Sequence, residues 1–182
     1  MKKITGLSLT SILLYASFIS MPFYAEETSD TDTVEKDPVE NYWIATNQFT
    51  GTYLCGWQMY VKDGILYGKI LSATKATPET ISKRCHKTYK DFPVSGDVSK
   101  LIMFGKPWIY GLHKKDIGKW YGGYIINPDS GAYYLCDITY HEADGRRFKR
   151  ATLEMHGSIP VLHIGLSQYW PCGTKEEAEG IK

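Results

Sequence analysis

The sequence predicts an all-β fold, an up-and-down antiparallel β-barrel of about eight strands. Apolar and polar residues alternate through most of the chain, and short turn signals such as Lys62-Asp63-Gly64 and Asp144-Gly145 separate the alternating segments. Helix signals are scarce. Sequential hairpins favour a meander, and closing the meander into a barrel removes the edge strands that invite aggregation.

Eight alternating segments give the predicted strands, at residues 41–46, 52–61, 65–72, 101–110, 119–126, 132–142, 147–156 and 161–170. The turn at 127–131, Asn-Pro-Asp-Ser-Gly, combines residues that set or tolerate turn dihedrals. A long loop over residues 73–100 separates the third and fourth strands. A Thr-Pro-Glu sequence at 77–79 makes 76–89 a candidate short helix in that loop, and the C-terminal tail is the other helix candidate.

The two ends of the chain differ in composition from the 41–174 segment, which forms the predicted barrel domain. Residues 1–25 predict a signal peptide, because Lys2 and Lys3 precede a run without charge that lasts until Glu26. An uncleaved anchor is the alternative, since a spanning helix needs roughly 20 apolar residues. Residues 26–40 carry seven acids and one lysine, which predicts a disordered acidic leader, and 175–182 form a charged tail. We therefore expect a periplasmic or secreted protein.

Composition and motifs argue against several classes of function. The basic residues are scattered rather than placed on one face, so we do not expect a nucleic-acid partner. The chain has no G-x-S-x-G, H-E-x-x-H or phosphate-binding glycine motif, so neither an enzyme nor a cofactor is expected. His141, Glu154 and His156 share the solvent face of neighbouring predicted strands, but a metal site there is not expected.

The four cysteines, Cys55, Cys85, Cys136 and Cys172, form an even count in a chain predicted to be exported, so disulfides are expected. Four cysteines allow three pairings. The predicted strand order brings Cys55 close to the start of the long loop. This favours a Cys55–Cys85 bridge, which leaves Cys136 with Cys172.

Alternation also selects the side chains that should face the barrel interior. Tyr and Trp give a binding pocket an apolar wall with polar atoms at its edge. The candidate ligand-binding residues are Trp57, Met59, Trp108, Trp120, Tyr124, Tyr134, Tyr140 and Met155. The other expected lining residues are Tyr53, Cys55, Leu66, Ile70, Ile138, Leu153, Leu162, Ile164, Leu166 and Trp170. Gly122 projects no side chain between Trp120 and Tyr124, which either relieves crowding or leaves room for a ligand.

Several segments together resemble a known family. They are TGTY at 50–53, DGILYGKI at 63–70, GKPWIYGL at 105–112, GKWYGGYIINPDSGAYY at 118–134, LEMHGSI at 153–159 and GLSQYW at 165–170. Their order resembles that in an uncharacterised family of exported bacterial proteins, domain of unknown function 2147, over about residues 41–171. The resemblance implies a lipocalin-like fold and favours binding of an apolar small molecule. It implies no catalytic residues, because the family has no established set.

Two functions remain open at this point. In the first, the barrel interior binds a small hydrophobic molecule, such as a fatty acid or another lipid-like compound, as a carrier or sensor. In the second, the barrel is packed, and its outer surface and the loop at 73–100 bind an envelope or host protein. An open interior would favour the first function and a filled interior the second. The sequence does not determine the oligomeric state.

Overall fold

A computed structural model describes residues 36–160 and 164–182. The predicted signal peptide, residues 26–35 of the leader and Leu162 lie outside the described residues. The strands are β1 Tyr42–Thr46, β2 Tyr53–Lys62, β3 Ile65–Ala73, β4 Pro107–Asp116, β5 Lys119–Ile126, β6 Tyr133–His141, β7 Thr152–Ser158 and β8 Gly165–Gly173. They form a closed antiparallel barrel in sequence order, which confirms the predicted fold class. No helix in the described ranges is long and apolar enough to cross a membrane.

The connections of the barrel alternate between its two ends. The β1–β2, β3–β4, β5–β6 and β7–β8 connections lie at one end, here called the upper end, and the other three lie at the lower end. Five of the eight predicted strands match within one residue at both ends. The fourth, seventh and eighth start late, because the long loop runs to residue 106 and a turn around Asp144 occupies residues predicted for the seventh strand.

The lower end is closed by the segment that precedes β1. Val39 is fully buried, and its carbonyl accepts a hydrogen bond from the Trp43 indole nitrogen at 2.9 Å. The buried Asp37 carboxylate accepts from the backbone N–H groups of Val39 and Gly118 and pairs with Lys114 at 3.0 Å. The prediction of disorder is therefore wrong for residues 36–40. Backbone groups and the Lys114 ammonium satisfy the acid there, so its charge does not keep the segment in water.

The lower half of the interior is filled by large side chains. They are Trp43, Trp57, Met59, Leu66, Ile70, Leu112, Trp120, Ile138, Leu153, Met155 and Trp170, all buried. Trp57 and Trp170 stack, and Trp43 meets Tyr140 edge to face with ring centroids 6.2 Å apart. Side chains of this size leave the lower lumen packed, as the small radius of an eight-stranded barrel allows.

Two glycines change which side chains face inward on β4 and β5. Gly111 and Gly122 have φ of 72° and 73°, a left-handed conformation that glycine adopts without steric cost, and the strand register shifts beside both. Leu112 and Trp120 face inward below these points. Tyr110 and its pairing partner Tyr124 face outward above them. Gly122 therefore works as a bulge, and the stretch of barrel above it has a reversed alternation.

The long loop, residues 74–106, covers this outward-facing aromatic surface. Phe92 stacks on Trp108 with centroids 5.6 Å apart, and the Tyr110 hydroxyl donates to the Lys90 carbonyl at 2.9 Å. The predicted helix at 76–89 is wrong: turns, an isolated bridge between Ile81 and Ile102 and a 3-10 helix at Val98–Lys100 take its place. Local side-chain bonds compete with a helix here, as where Thr80 Oγ1 accepts from the backbone N–H of Thr77 at 2.8 Å.

The C-terminal tail begins with helix α1, Lys175–Glu179, as its sequence suggests. Thr174 and Glu177 form a reciprocal capping box at its start. The helix packs on the outer face of β1 to β3, where the Ser72 hydroxyl donates to the Ala178 carbonyl at 2.6 Å. Gly56 lies directly under that carbonyl and leaves no space for a Cβ atom. The tail thus belongs to the folded domain.

Candidate functional site

Four of the predicted ligand-binding residues form the packed lower core. Trp57 and Met155 are 4% exposed, Trp120 is 3% exposed and Met59 is 1% exposed. Tyr140 packs edge to face against Trp43 at the same depth. These side chains face inward as predicted, but they fill the lumen instead of leaving a cavity between them.

Two further candidates do not line the lumen at all. Trp108 lies on the outer face under the long loop, and its indole nitrogen donates to the Met103 carbonyl. Tyr124 also faces outward, stacked on Tyr133 with centroids 5.2 Å apart. The prediction that they face the interior is wrong, because the bulges at Gly111 and Gly122 each move the alternation by one residue.

Tyr134 and the inward side of β8 behave differently from the lower core. Tyr134 shares the inward side of β6 with Cys136 and Ile138, yet it is 37% exposed. Leu166 pairs with Gly157 on the inward side and is 82% exposed. Gln168, paired with Met155, is also exposed. Inward-facing side chains that remain accessible to water mean that the lumen is open at its upper end. We call this opening the upper mouth.

The stacked indoles of Trp57 and Trp170 form the floor beneath the upper mouth. The Trp57 indole nitrogen donates to Cys55 Sγ at 2.9 Å, and that of Trp170 donates to Gln168 Oε1 at 3.1 Å. Both acceptors lie one inward position above the indole that they hold. The site therefore has an aromatic floor, apolar walls and one carboxamide, the usual composition of a small-molecule pocket.

Gln168 is the mouth residue that the sequence prediction missed. It sits between Leu166 and Trp170 in the same alternation, and a polar residue at an inward position is the signal that could have found it. Tyr53, which was expected to face inward, lies outside. A register shift between Ala45 and Thr46 turns it to the outer face of the barrel.

Backbone pairing is sparse at the seam between β1 and β8, beside the upper mouth. These strands pair only at Tyr42 with Gly173 and at Trp43 with Cys172, whereas β7 and β8 pair along seven positions. Above this short ladder, the Gln48 amide donates to the Ser167 carbonyl at 3.1 Å across the seam. A side chain rather than a backbone ladder therefore joins the upper part of this seam.

Two depressions lie on the outer surface. One, of about 370 Å³, lies between the β6–β7 connection and β8 and is lined by Arg147, Phe148, Lys149, Arg150, Thr152, Tyr169 and Pro171. The other, of about 510 Å³, is lined by Tyr53, Glu176, Glu177, Gly180, Ile181 and Lys182. Both lie outside the barrel wall, so neither is the lumen that the sequence predicted as a ligand site.

A polar cluster covers the outer face of β6 to β8. The Glu154 carboxylate accepts from the Ser167 hydroxyl at 2.7 Å and lies 2.8 Å from His141 Nε2. Burial alone would raise the pKa of Glu154, but these hydrogen bonds, with one from Tyr169, lower it. His156 contacts Ser167 instead of the carboxylate. No group of His, Cys, Asp and Glu side chains in the described ranges is arranged to hold a metal ion.

All four cysteines are free thiols. The expected Cys55–Cys85 and Cys136–Cys172 disulfides are therefore wrong for this structure. Cys55 and Cys136 face the barrel interior, whereas Cys85 lies in the long loop against the Pro128 carbonyl. Burial raises the pKa of Cys55 to about 12, although the hydrogen bond from Trp57 acts to lower it. Burial also raises the pKa of Cys85, Cys136 and Cys172.

Comparison with known proteins agrees with this architecture. A family model described as "Uncharacterized protein conserved in bacteria (DUF2147)" matches residues 42–171. A solved structure described as "Protein HP1028 from the human pathogen Helicobacter pylori belongs to the lipocalin family" is 14% identical, with a TM-score of 0.59. The match covers 80% of this chain and 89% of that chain. This likeness establishes a lipocalin-like fold. No curated protein matches the chain.

Proposed function

The chain belongs to the uncharacterised bacterial family DUF2147, and from this membership and the geometry of the upper mouth we propose that it binds a small apolar ligand there. A lipocalin-like barrel suggests a ligand-binding kind of protein, and both the fold and the family favour a non-enzymatic role. A fatty acid or another lipid-like molecule is the proposed ligand class. The proposed role is that of a carrier or sensor, exported by residues 1–25.

One observation carries the proposal: inward-facing side chains at the upper end remain exposed while those below them are buried. Leu166 is 82% exposed and Trp170, two inward positions further down the chain, is 3% exposed. An apolar wall that is left in water gains free energy when an apolar ligand covers it, roughly 25 cal/mol for each Å² removed from water. The packed lower core limits the ligand to the upper part of the lumen.

Gln168 supports a ligand with one polar end. Its Oε1 accepts from the Trp170 indole nitrogen, and its Nε2 amide donates to no group among the residues that the structure describes, within an otherwise apolar mouth. A carboxylate or hydroxyl at one end of an acyl chain would accept from this amide. The acyl chain of the ligand would lie on the Trp57–Trp170 floor and leave the lumen at the seam beside β8.

The test is a titration with a fluorescent polyene fatty acid, using the chain from residue 26 onward. We expect saturable binding that Leu166→Asp weakens at least about tenfold, because the charge lies in the apolar wall. Ile117→Asp is the matched control: Ile117 is 71% exposed in the turn between β4 and β5 at the lower end. No saturable binding, or equal weakening by both variants, would contradict the proposal.

A second candidate function rests on the packed lower core. A barrel without room for a ligand would act through its outer surface and the long loop, by binding an envelope or host protein. The two outer depressions favour it, since both are lined by charged and aromatic side chains. Failure of the fatty-acid titration, together with capture of a defined partner that Arg147→Glu abolishes, would favour this function.

A further inference from the structure

The exposed apolar side chains of this protein concentrate at the upper end of the barrel. We define the apolar rim as Phe49, Leu54, Tyr134, Ile159, Ile164 and Leu166, which are between 37% and 101% exposed. They come from the β1–β2 and β7–β8 connections and from the upper ends of β2, β6 and β8. Among the other described residues, the large exposed apolar side chains are Ile117 and Tyr121 at the lower end, Tyr53 on the outer face of β2, and Ile81 and Ile102 in the long loop. Concentrated apolar exposure of this kind marks an interaction surface.

A group of basic residues lies beside this rim. We define the basic edge as Lys83, Arg84, Lys87 and Lys90, all exposed in the long loop. None of the four takes part in an ion pair within the described ranges. Positive charges outnumber negative ones over the whole long loop and the adjacent β5–β6 connection, where Lys75, Lys83, Arg84, Lys87, Lys90, Lys100 and Lys106 stand against Glu79, Asp91, Asp97 and Asp129.

Contacts with the β5–β6 hairpin fix the basic edge at the upper end. The Cys85 thiol lies 3.8 Å from the Pro128 carbonyl, and the Tyr89 hydroxyl donates to the Gly131 carbonyl at 3.0 Å. The Arg84 backbone lies against Gly131, where a Cβ atom would overlap it. Lys83, Arg84 and Lys87 are therefore held beside the mouth, whereas the Lys90 ammonium lies lower, over the Tyr124 ring on the outer wall.

We propose that the upper end docks on an anionic lipid bilayer, with the apolar rim in the interface and the basic edge against the headgroups. Peripheral proteins bind membranes through this combination of shallow apolar insertion and attraction of Lys and Arg to anionic lipid. The inference goes beyond ligand binding and names the surface from which a lipid-like ligand would reach the mouth.

The composition of the rim favours a bilayer over a protein partner. Protein interfaces depend on a few packed anchors, enriched in Trp, Tyr and Arg, with Leu under-represented. Four of the six rim residues are Leu or Ile, and they project from different connections without forming one groove. A fluid interface accepts such separate side chains because it needs no matching shape.

Vesicle co-flotation tests the proposal, using the chain from residue 26 onward so that the apolar N-terminal run does not bind lipid itself. The probes are vesicles of phosphatidylcholine alone and vesicles containing about one third phosphatidylglycerol. We expect binding to the anionic vesicles at least about tenfold stronger than to the neutral ones. Phe49→Ser with Ile159→Ser should reduce that binding about tenfold, and Lys83→Gln with Arg84→Gln should reduce it by a similar factor.

Matched controls at the lower end are Ile117→Ser and Lys62→Gln, which should bind vesicles like the unchanged protein. Circular dichroism and the melting temperature verify that each variant is folded. Absence of vesicle binding, or equal loss in rim and control variants, would overturn the proposal. A dimer in light scattering that Phe49→Ser dissociates, without vesicle binding, would instead identify a second copy as the occupant and also overturn it.

The fatty-acid titration without vesicles separates this inference from the proposed function. Phe49, Ile159, Lys83 and Arg84 lie outside the floor and the inward wall, so their variants should bind the soluble probe normally. Loss of vesicle binding with normal probe binding supports docking as an independent property. Vesicle binding without any probe binding would leave docking standing and reject the apolar ligand.

Discussion

Trp57 and Trp170 stack in the barrel interior with ring centroids 5.3 Å apart and planes inclined by 20°. The pair divides the barrel lumen into a packed lower half and an open upper half. Below it, large side chains and the segment at 36–41 close the lumen; above it, Leu166 and Gln168 face an open mouth. The same two indoles are thus both the top of the core and the floor of the candidate site.

The first prediction concerns the stability of this floor. Trp170→Ala should lower the free energy of unfolding by about 3–5 kcal/mol, because it removes a buried indole and leaves a cavity against Trp57. Leu166→Ala, four residues away on the same inward side, should change it by less than about 0.5 kcal/mol, because that side chain is already in water. Urea unfolding of both variants measures this, and similar losses would mean that the mouth is packed.

The second prediction concerns the acid that holds the lower end closed. Burial alone would raise the pKa of Asp37, but Lys114 and the backbone N–H groups of Val39 and Gly118 hold it below its ordinary value of 3.8. A lowered folded-state pKa contributes stability that is present above the ordinary value and lost as the pH falls through the folded value. The unchanged protein should therefore lose stability below about pH 4.

Asp37→Asn isolates this contribution. The variant should lose about 1–3 kcal/mol at neutral pH, because its amide pairs less well with Lys114 and the two backbone donors. Its stability should also fall less than that of the unchanged protein between about pH 5 and pH 3. Urea unfolding at several pH values measures both effects, and two parallel curves would contradict the assignment.

The third prediction concerns the cysteines. Four free thiols should react with a thiol reagent in denaturant without prior reduction, and few should react in the folded protein near pH 8. The reason is that burial raises the pKa of all four thiols, and the thiolate is the reactive form. Mass spectrometry after alkylation counts them. Fewer than four modified cysteines in denaturant would indicate a disulfide.

Alternation predicted the eight strands because each one buries one face, and a period of two is what that arrangement requires. It could not predict the sides of Tyr124 and Trp108, because the positive φ of Gly122 and Gly111 shifts the alternation by one residue. Glycine also occurs at many positions with ordinary dihedral angles, so its presence alone does not predict a positive φ. The aromatic residues of the long loop, such as Phe92, then cover the face that the shift exposes.

The candidate site was predictable only in part. Tyr134 and Leu166 were assigned to the interior correctly, but their exposure depends on where the strands end and on the short β1–β8 ladder. Those are tertiary properties that a local pattern does not contain. The disulfide prediction was wrong for a related reason: an even cysteine count says nothing about which sulfur atoms meet.

The most direct measurement is quenching of tryptophan fluorescence by a fatty acid brominated in the middle of its chain, because bromine quenches only at contact and the middle of the acyl chain is proposed to lie on the floor. We expect saturable quenching that the double variant Trp57→Phe with Trp170→Phe largely removes. Trp108→Phe should retain it, because Trp108 lies outside the barrel under the long loop. Absence of saturable quenching, or quenching that survives the double floor variant and disappears in Trp108→Phe, would contradict a ligand site above the Trp57–Trp170 floor.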